Sequence, residues 1–258
     1  MKVTLIQAQL EQSAAAANRA VLSAMIQQAP GSDWYVLPET FATGFLGDGD
    51  REPETMNGES IQWMQALAQE QKAAISGSLV ISDEDQRLNR YVHVNAQGQV
   101  QAHYDKRHLF GYGGEDQRYQ AGQERVVYPF EHNEHTWQIC PQICYDLRFP
   151  VWCRYQNDYE VLVFVANWPV KRVAAWQHLL KARAIENQCY VIGVNRAGPD
   201  GKGVMYGGCS AVYGPLGETL VELGQTPAAV TVDLQQQQIQ QIREQLPFLK
   251  DGDGFVLQ

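Results

Sequence analysis

Strand-like and helix-like segments alternate along this chain, and the alternation restricts its possible folds more than any other feature. Apolar residues recur at helical spacing in residues 14–28, 60–72 and 176–187, and a more polar helix is predicted at 235–245. Short runs rich in branched apolar residues predict strands at 5–9, 34–37, 74–82, 137–143, 159–166, 189–194, 209–213, 219–222 and 228–232. This pattern predicts an α/β or α+β fold in which helices cover the outer faces of sheets.

Three reactive side chains each follow a strand-like run. Glu39 comes just after Pro38, which ends a strand because proline cannot donate to the ladder. Lys106 follows a hairpin predicted at 91–104, and Cys144 follows the run 137–143 directly. A thiol that attacks an amide carbonyl needs a base for its proton and a donor for the developing oxyanion. Each residue alone fits a structural role, but their common position favours a cysteine-dependent catalytic site.

The charge of the chain and the length of its apolar runs exclude two classes of partner. The chain has 20 basic and 29 acidic residues, and no cluster of Lys and Arg offers a face for phosphates, so we expect no nucleic-acid partner. The most apolar run, 161–166, is far shorter than the roughly 20 residues of a membrane-spanning helix, so we expect no membrane partner. No Pro-, Gly- or Ser-rich linker divides the sequence, which predicts one domain over residues 1–258.

The cysteines predict a reducing compartment. The chain has five cysteines, an odd number, at Cys140, Cys144, Cys153, Cys189 and Cys209. Their spacing is neither the paired C-x-x-C of a zinc site nor that of a disulfide framework. We therefore expect a cytoplasmic protein with no bound metal.

Three segments of the chain resemble the signature segments of the nitrilase superfamily, the carbon-nitrogen hydrolases. They are Leu-Pro-Glu-Thr at 37–40, Asp-Lys-Arg-His-Leu-Phe at 105–110 and Cys-Pro-Gln-Ile-Cys-Tyr-Asp-Leu-Arg-Phe-Pro at 140–150. Further segments at 166–169, 182–188 and 195–196 are similar to the sequence that follows the nucleophile in this family. The later segments look most like the bacterial omega-amidase branch.

The resemblance implies a fold and a set of site residues. Members of the family form a four-layer αββα sandwich, usually pair into homodimers and use no cofactor. By similarity the triad is Glu39 as general base, Lys106 as oxyanion stabiliser and Cys144 as nucleophile. A second glutamate often follows the lysine, and Glu115 fits that place, where it would orient the substrate and support the triad.

The resulting mechanism begins with transfer of the Cys144 proton to Glu39, and we expect the Lys106 ammonium to favour the thiolate. Lys106 and the backbone N–H of Tyr145 would hold the oxyanion. Glu39 would then protonate the departing ammonia and activate the water that hydrolyses the thioester.

The branch resemblance implies hydrolysis of the terminal amide of small 2-oxo dicarboxylic monoamides, such as 2-oxoglutaramate and 2-oxosuccinamate. Such a substrate carries a free carboxylate, for which Arg172 is the candidate cation. Phe41 and Trp168 are candidate walls of the pocket. Asp146 and Arg148 are interpreted as a structural ion pair around the nucleophile turn.

Three alternatives stay open at this point. The first is another activity of the same superfamily, such as that of an aliphatic amidase, nitrilase or carbamoylase. The second is a papain-like Cys-His hydrolase in which His108 or His178 is the base for Cys144. The third is a non-catalytic binding protein that retains the fold.

Overall fold

The computed structural model of the chain describes residues 1–46 and 53–256. Its helices are α1 (Ala15–Gln27), α2 (Glu59–Gln71), α3 (Pro150–Cys153), α4 (Val173–Asn187) and α5 (Gln236–Gln245). Its strands are β1 (Lys2–Gln7), β2 (Trp34–Val36), β3 (Ala74–Asp83), β4 (Gln86–Val94), β5 (Val100–Asp105), β6 (Tyr128–His132), β7 (His135–Ile143), β8 (Val161–Ala166), β9 (Tyr190–Asn195), β10 (Ala197–Pro199), β11 (Met205–Gly207), β12 (Ala211–Tyr213), β13 (Thr219–Glu222) and β14 (Ala228–Asp233). Short 3-10 helices occupy Gly111–Gly113, Glu115–Gln117, Cys144–Arg148, Val170–Arg172 and Phe248–Asp251.

The strands form two six-stranded sheets and one small ribbon. The first sheet has the order β14-β1-β2-β3-β4-β5, and the second has the order β13-β12-β9-β8-β7-β6. In each sheet three central strands run parallel, β1 to β3 in the first and β7 to β9 in the second, and the outer strands are antiparallel. The ribbon pairs β10 with β11.

Alternation along the strands of the first sheet separates two hydrophobic cores. Leu5 and Trp34 pack in the core that contains the second sheet, whereas their neighbours Ile6 and Tyr35 pack in the core beneath α1 and α2. On the second sheet, α4 lies close to β9 because Gly193 has no side chain, and an added Cβ there would clash with Leu180. The layers are therefore helix, sheet, sheet and helix, which confirms the predicted four-layer αββα sandwich.

Three strands were absent from the sequence prediction, namely β6 and the two short strands of the ribbon, β10 and β11. The segment around His132 and His135 reads as a polar loop, yet β6 and β7 pair on either side of it as a hairpin. Tyr128 and Phe130 of β6 are buried while the residues between and after them face solvent, so only two apolar residues mark the strand. Among the described residues, none of the helices combines the length and apolarity that a bilayer crossing requires.

The parallel strands point their carboxyl ends toward one edge of the sandwich. The loop after β2 carries Glu39, and the end of β5 carries Lys106. In the second sheet, β7 ends before Cys144 and β8 ends before Asn167. The carboxyl ends of strands are where sites on such sheets form, so the topology brings the predicted reactive residues to the same place.

Candidate active site

Cys144 begins a 3-10 helix immediately after β7, in a strained backbone conformation. Its φ is +46°, in the left-handed region that side chains other than glycine rarely adopt. The Asp146 carboxylate braces this turn, because its Oδ2 accepts the Ile143 N–H at 3.0 Å on the strand side of the cysteine. The turn lifts the Cys144 thiol out of the strand and leaves the residue 8% exposed at the floor of a cavity.

Asp146 also ties the Cys144 turn to the loop that carries Lys106. Its Oδ2 accepts the Tyr104 hydroxyl at 2.8 Å, and its Oδ1 accepts the backbone N–H of His108 at 2.9 Å and faces the His108 Nδ1 at 2.8 Å. Asp146 therefore has the predicted structural role, but its predicted ion pair with Arg148 is wrong, because residues two apart in a 3-10 helix point in different directions. The Arg148 guanidinium lies 5.0 Å from the centre of the Trp168 ring instead, on the cavity wall.

The structure brings Glu39, Lys106 and Glu115 together in one cluster, and all three are fully buried. The Lys106 Nζ donates to Glu39 Oε1 at 2.8 Å and to Glu115 Oε2 at 2.7 Å. The Phe110 backbone N–H donates to the same Glu115 oxygen at 2.7 Å. One ammonium therefore bridges two carboxylates, and the cluster carries an excess of one negative charge when both carboxylates are ionised.

Two buried asparagines complete the cluster, and the sequence prediction missed both. The Asn89 Nδ2 donates to Glu39 Oε1 at 2.8 Å and to Glu115 Oε1 at 3.3 Å. The Asn167 backbone N–H donates to Glu39 Oε2 at 2.7 Å, and its Nδ2 donates to Thr40 Oγ1 at 2.9 Å and to the Glu39 carbonyl at 3.0 Å. Asn167 follows β8 as the predicted residues follow their strands, so its position at a strand end was the available signal.

The electrostatics of the cluster keep the thiol neutral. Burial raises the pKa of the Cys144 thiol well above its usual value, and the negative charge of Glu39 raises it further, while the Lys106 ammonium opposes both effects. Burial disfavours the Lys106 ammonium, but the charges of Glu115 and Glu39 outweigh burial and raise the pKa of Lys106 well above its usual range. Lys106 thus favours the thiolate as expected, but burial and the charge of Glu39 outweigh it, so attack by Cys144 requires a base.

The sequence predicts two donors for an oxyanion formed on Cys144. The Tyr145 N–H is the second in its 3-10 helix and so has no partner within that helix. An ammonium has three hydrogens, and Lys106 directs two of them at carboxylates. The third hydrogen of Lys106 and the Tyr145 N–H are the groups that the sequence predicts for this role.

Cys144 opens on a cavity of about 600 Å³. Of the described residues that line it, four are cationic and one, Asp200, is acidic; the cations are Arg148, Lys171, Arg172 and Lys202. The Asp200 Oδ1 already accepts two backbone N–H groups, from Lys202 at 2.8 Å and Val204 at 2.9 Å. The described wall thus presents positive charge to a ligand, which favours an anionic ligand over a cationic one.

The residues predicted to bind substrate fall in two places. Trp168 and Arg172 line the cavity, where the Trp168 indole N–H donates to the Arg172 carbonyl at 2.7 Å and the Arg172 guanidinium lies 5.2 Å from the centre of the Phe110 ring. Phe41 does not line it. Its ring is fully buried against Trp63 of α2, because the chain turns back after Glu39 and the Phe41 N–H bonds to the Ser78 carbonyl at 3.0 Å.

The two histidines of the papain-like alternative make hydrogen bonds elsewhere. The His108 ring bonds to Asp146 and stacks on Phe149 at 3.6 Å between ring centres. The exposed His178 ring bonds to the Ala174 carbonyl at 2.6 Å within α4. Within the described ranges, no group of three or more His, Cys, Asp and Glu side chains is arranged to hold a metal ion.

Known proteins are similar to this chain in sequence and in fold. The family model for Carbon-nitrogen hydrolase matches residues 2–244. Omega-amidase YafV of Escherichia coli strain K12 is 40% identical over 258 residues, which cover 100% of this chain and 98% of that protein. A 2-oxoglutaramate amidase of Bacillus subtilis strain 168 is 32% identical over 226 residues, with 85% of each chain covered. The solved structure of XC1258 from Xanthomonas campestris, a CN-hydrolase superfamily protein with an arsenic adduct in its active site, superimposes with a TM-score of 0.94 at 39% identity over 100% of this chain and 99% of that one.

Proposed function

The chain belongs to the carbon-nitrogen hydrolase family, and from that premise we propose that it is an omega-amidase. The proposed reaction is hydrolysis of the terminal amide of a small 2-oxo dicarboxylic monoamide, such as 2-oxoglutaramate or 2-oxosuccinamate, with release of ammonia. Similarity to proteins named omega-amidase and 2-oxoglutaramate amidase supports the amidase activity. One observation carries the choice of an anionic amide: the thiol opens on a cavity whose described wall has an excess of cations.

The first half of the mechanism forms a thioester. Glu39 accepts the proton of the Cys144 thiol, and the sulfur attacks the amide carbonyl carbon. The third hydrogen of Lys106 and the Tyr145 N–H stabilise the oxyanion of the tetrahedral intermediate. When the carbon–nitrogen bond breaks, Glu39 returns the proton to the nitrogen and ammonia leaves.

The second half restores the enzyme. A water molecule gives a proton to Glu39 and attacks the thioester carbonyl, where the same two donors hold the oxyanion. The carbon–sulfur bond then breaks, the sulfur recovers its proton from Glu39, and the acid leaves. Glu115 holds the Lys106 Nζ in place at 2.7 Å.

Recognition of the free carboxylate is assigned to Arg148 and Arg172. Each guanidinium lies over an aromatic ring, at 5.0 Å from Trp168 and 5.2 Å from Phe110. Neither has a carboxylate partner within residues 1–46 and 53–256. An arginine held in this way keeps its planar fork of donors available for a carboxylate.

Ammonia release from 2-oxoglutaramate by the purified protein tests the proposal. Cys144→Ala should abolish the release, because the nucleophile is gone. Cys209→Ala is a matched control, since Cys209 is also buried at 7% exposure and has a left-handed φ of +52°. That control should retain the activity of the unmodified protein.

Release that survives in Cys144→Ala would reject the nucleophile. No release from the unmodified protein would reject the substrate class and direct the assay to nitriles, carbamoyl amines and simple aliphatic amides.

We also propose that the protein acts in the cytoplasm as a homodimer without a cofactor.

A further inference from the structure

Asn89 is the one neutral side chain described in the structure that touches both carboxylates of the buried cluster. It lies on β4, is fully buried, and directs its amide nitrogen at Glu39 Oε1 (2.8 Å) and Glu115 Oε1 (3.3 Å). Its backbone carbonyl accepts the Lys106 N–H at 2.9 Å. Its own Oδ1 is buried with no hydrogen-bond partner among the described residues. An unpaired buried amide oxygen is costly, which indicates that the amide is held for its donor side.

The cluster contains more carboxylate than ammonium, so the place of any additional proton matters. The ionisable groups that face Glu39 are Lys106, Glu115, Cys144, Tyr119 and Tyr206. Burial raises the pKa of both tyrosines, which stay neutral. Burial also raises the pKa of Glu115, the Lys106 ammonium opposes this, and the nearby Glu39 adds to it. Glu39 and Glu115 therefore compete for one proton, and only a proton on Glu115 leaves the base of the reaction intact.

Hydrogen bonds to the ionised form decide such a competition, since each one favours the charge. The Glu39 carboxylate accepts hydrogen bonds from the Lys106 Nζ at 2.8 Å and the Asn89 Nδ2 at 2.8 Å. It also accepts two from Asn167, from the backbone N–H at 2.7 Å and from the Nδ2 at 3.3 Å. The Glu115 carboxylate accepts hydrogen bonds from the Lys106 Nζ and the Phe110 N–H at 2.7 Å each, and from the Asn89 Nδ2 at the longer distance of 3.3 Å. The Asn89 amide is thus the shared donor, and its shorter bond goes to Glu39.

We propose that Asn89 is a positioning residue that keeps the negative charge on Glu39 and directs the competing proton to Glu115. The inference rests on the proposed role of Glu39 as the base. It does not depend on which amide is the substrate, because the thiol proton passes from Cys144 to Glu39 whichever amide is attacked.

Alkylation of Cys144 by iodoacetamide measures this proton transfer without the natural substrate. The sulfur displaces iodide from the CH₂ carbon, the thiol proton passes to Glu39, and the labelled cysteine is identified by mass spectrometry. Plotted against pH, the rate of alkylation should fall on the acid side as Glu39 is protonated. This falling part of the profile is called the acid limb. Asn89→Leu removes a donor to the ionised Glu39, and Asn89→Asp replaces that donor with a further carboxyl group, so in both variants the acid limb should move to higher pH by about one to two units.

Two comparisons separate this role from a structural one. Asn187→Asp is the matched control, because Asn187 is equally buried but its amide bonds to the Arg183 carbonyl and the Tyr155 N–H. Its acid limb should stay in place. In a Glu115→Gln background no second carboxylate competes for the proton, so Asn89→Leu should move the limb by less than half as much.

An unchanged acid limb in both Asn89 variants would overturn the proposal, even with lower rates at every pH. An equal displacement with and without Glu115 would also overturn it, because Asn89 would then act on Glu39 alone. Asn89→Asp matches asparagine in size and supplies the test if the leucine variant does not fold. Failure of the proposed substrate gives a different signature, in which Cys144 is alkylated normally but 2-oxoglutaramate releases no ammonia.

Discussion

The buried cluster and the cavity wall handle charge in opposite ways. In the cluster, Glu39, Lys106 and Glu115 are fully buried and bound to one another at 2.7 to 2.8 Å. On the wall, Arg148 is exposed and Arg172 half-buried, and each lies over an aromatic ring without a carboxylate partner in the described part of the chain. The cluster is complete before a ligand arrives, whereas the wall has donors left for the ligand.

This difference separates the two tasks of the proposed enzyme. Charges fixed in a dry interior need no reorganisation as the reaction proceeds, so they act on the rate of the chemical step. Charges exposed at the cavity wall are screened by salt and remain available to a ligand, so they act on binding. We therefore expect changes in the cluster to alter kcat and stability, and changes on the wall to alter KM.

The largest effect expected is from Lys106→Met, which leaves two buried carboxylates without their cation. The free energy of unfolding should fall by about 3–5 kcal/mol, as when one partner of a buried ion pair is removed. Turnover should fall by about a hundredfold or more through loss of the oxyanion donor. Urea unfolding and initial rates measure the two effects.

Lys202→Met is the matched control, since Lys202 is an exposed lysine on the cavity wall. The free energy of unfolding of Lys202→Met should differ from that of the unmodified protein by no more than about 0.5 kcal/mol.

The pH dependence of stability follows from the pKa of Lys106. Because the folded state raises this pKa above its usual 10.5, the contribution of the Lys106 charge to stability is present below that pH and is lost only as the pH rises through the folded value. In the unmodified protein, the contribution of the Lys106 charge should therefore be the same at about pH 7 and at about pH 9. Equal stability of the two methionine variants would remove the distinction between cluster and wall.

A smaller effect is expected from Arg148→Ala and Arg172→Ala. Each should raise KM for 2-oxoglutaramate by about tenfold to a hundredfold, as loss of a charged hydrogen bond does, with kcat nearly unchanged. Arg118→Ala, at an exposed arginine that does not line the cavity, should leave KM unchanged. A loss confined to kcat in the wall variants would show that these arginines act on the chemical step instead.

The sequence predicted the parts of the site that have a local signal. Glu39, Lys106 and Cys144 each follow a strand-like run, and the structure places all three at the same edge of the sandwich. Asn89 had no such signal, because it lies inside β4 among buried neighbours and its importance arises only where β4 passes between two distant glutamates. Contacts across 50 and 26 residues are set by the packing of elements, not by local pattern.

Two predictions about single side chains were wrong because each side chain points in a different direction from the one expected. Phe41 is close in sequence to Glu39, but Thr40 adopts a positive φ of +42° and the chain turns the Phe41 ring into the core under α2. Arg148 is close to Asp146, but the 3-10 helix points the two side chains apart and sends the arginine to the cavity. Sequence spacing fixed the neighbourhood of these residues, and the local backbone decided which way each side chain faced.

The smallest effect expected is from salt, and it tests the contrast without any substitution. Raising ionic strength from about 0.02 M to about 0.5 M shortens the screening length from roughly 20 Å to roughly 4 Å, which weakens exposed charges far more than buried ones. KM for 2-oxoglutaramate should rise a few-fold while kcat stays the same. A neutral amide of similar size should show no change in KM, and the Arg148→Ala/Arg172→Ala double variant should lose most of the salt dependence. If kcat falls with salt as steeply as KM rises, the cluster is open to ions, and the division between a dry catalytic interior and a solvated binding wall does not hold.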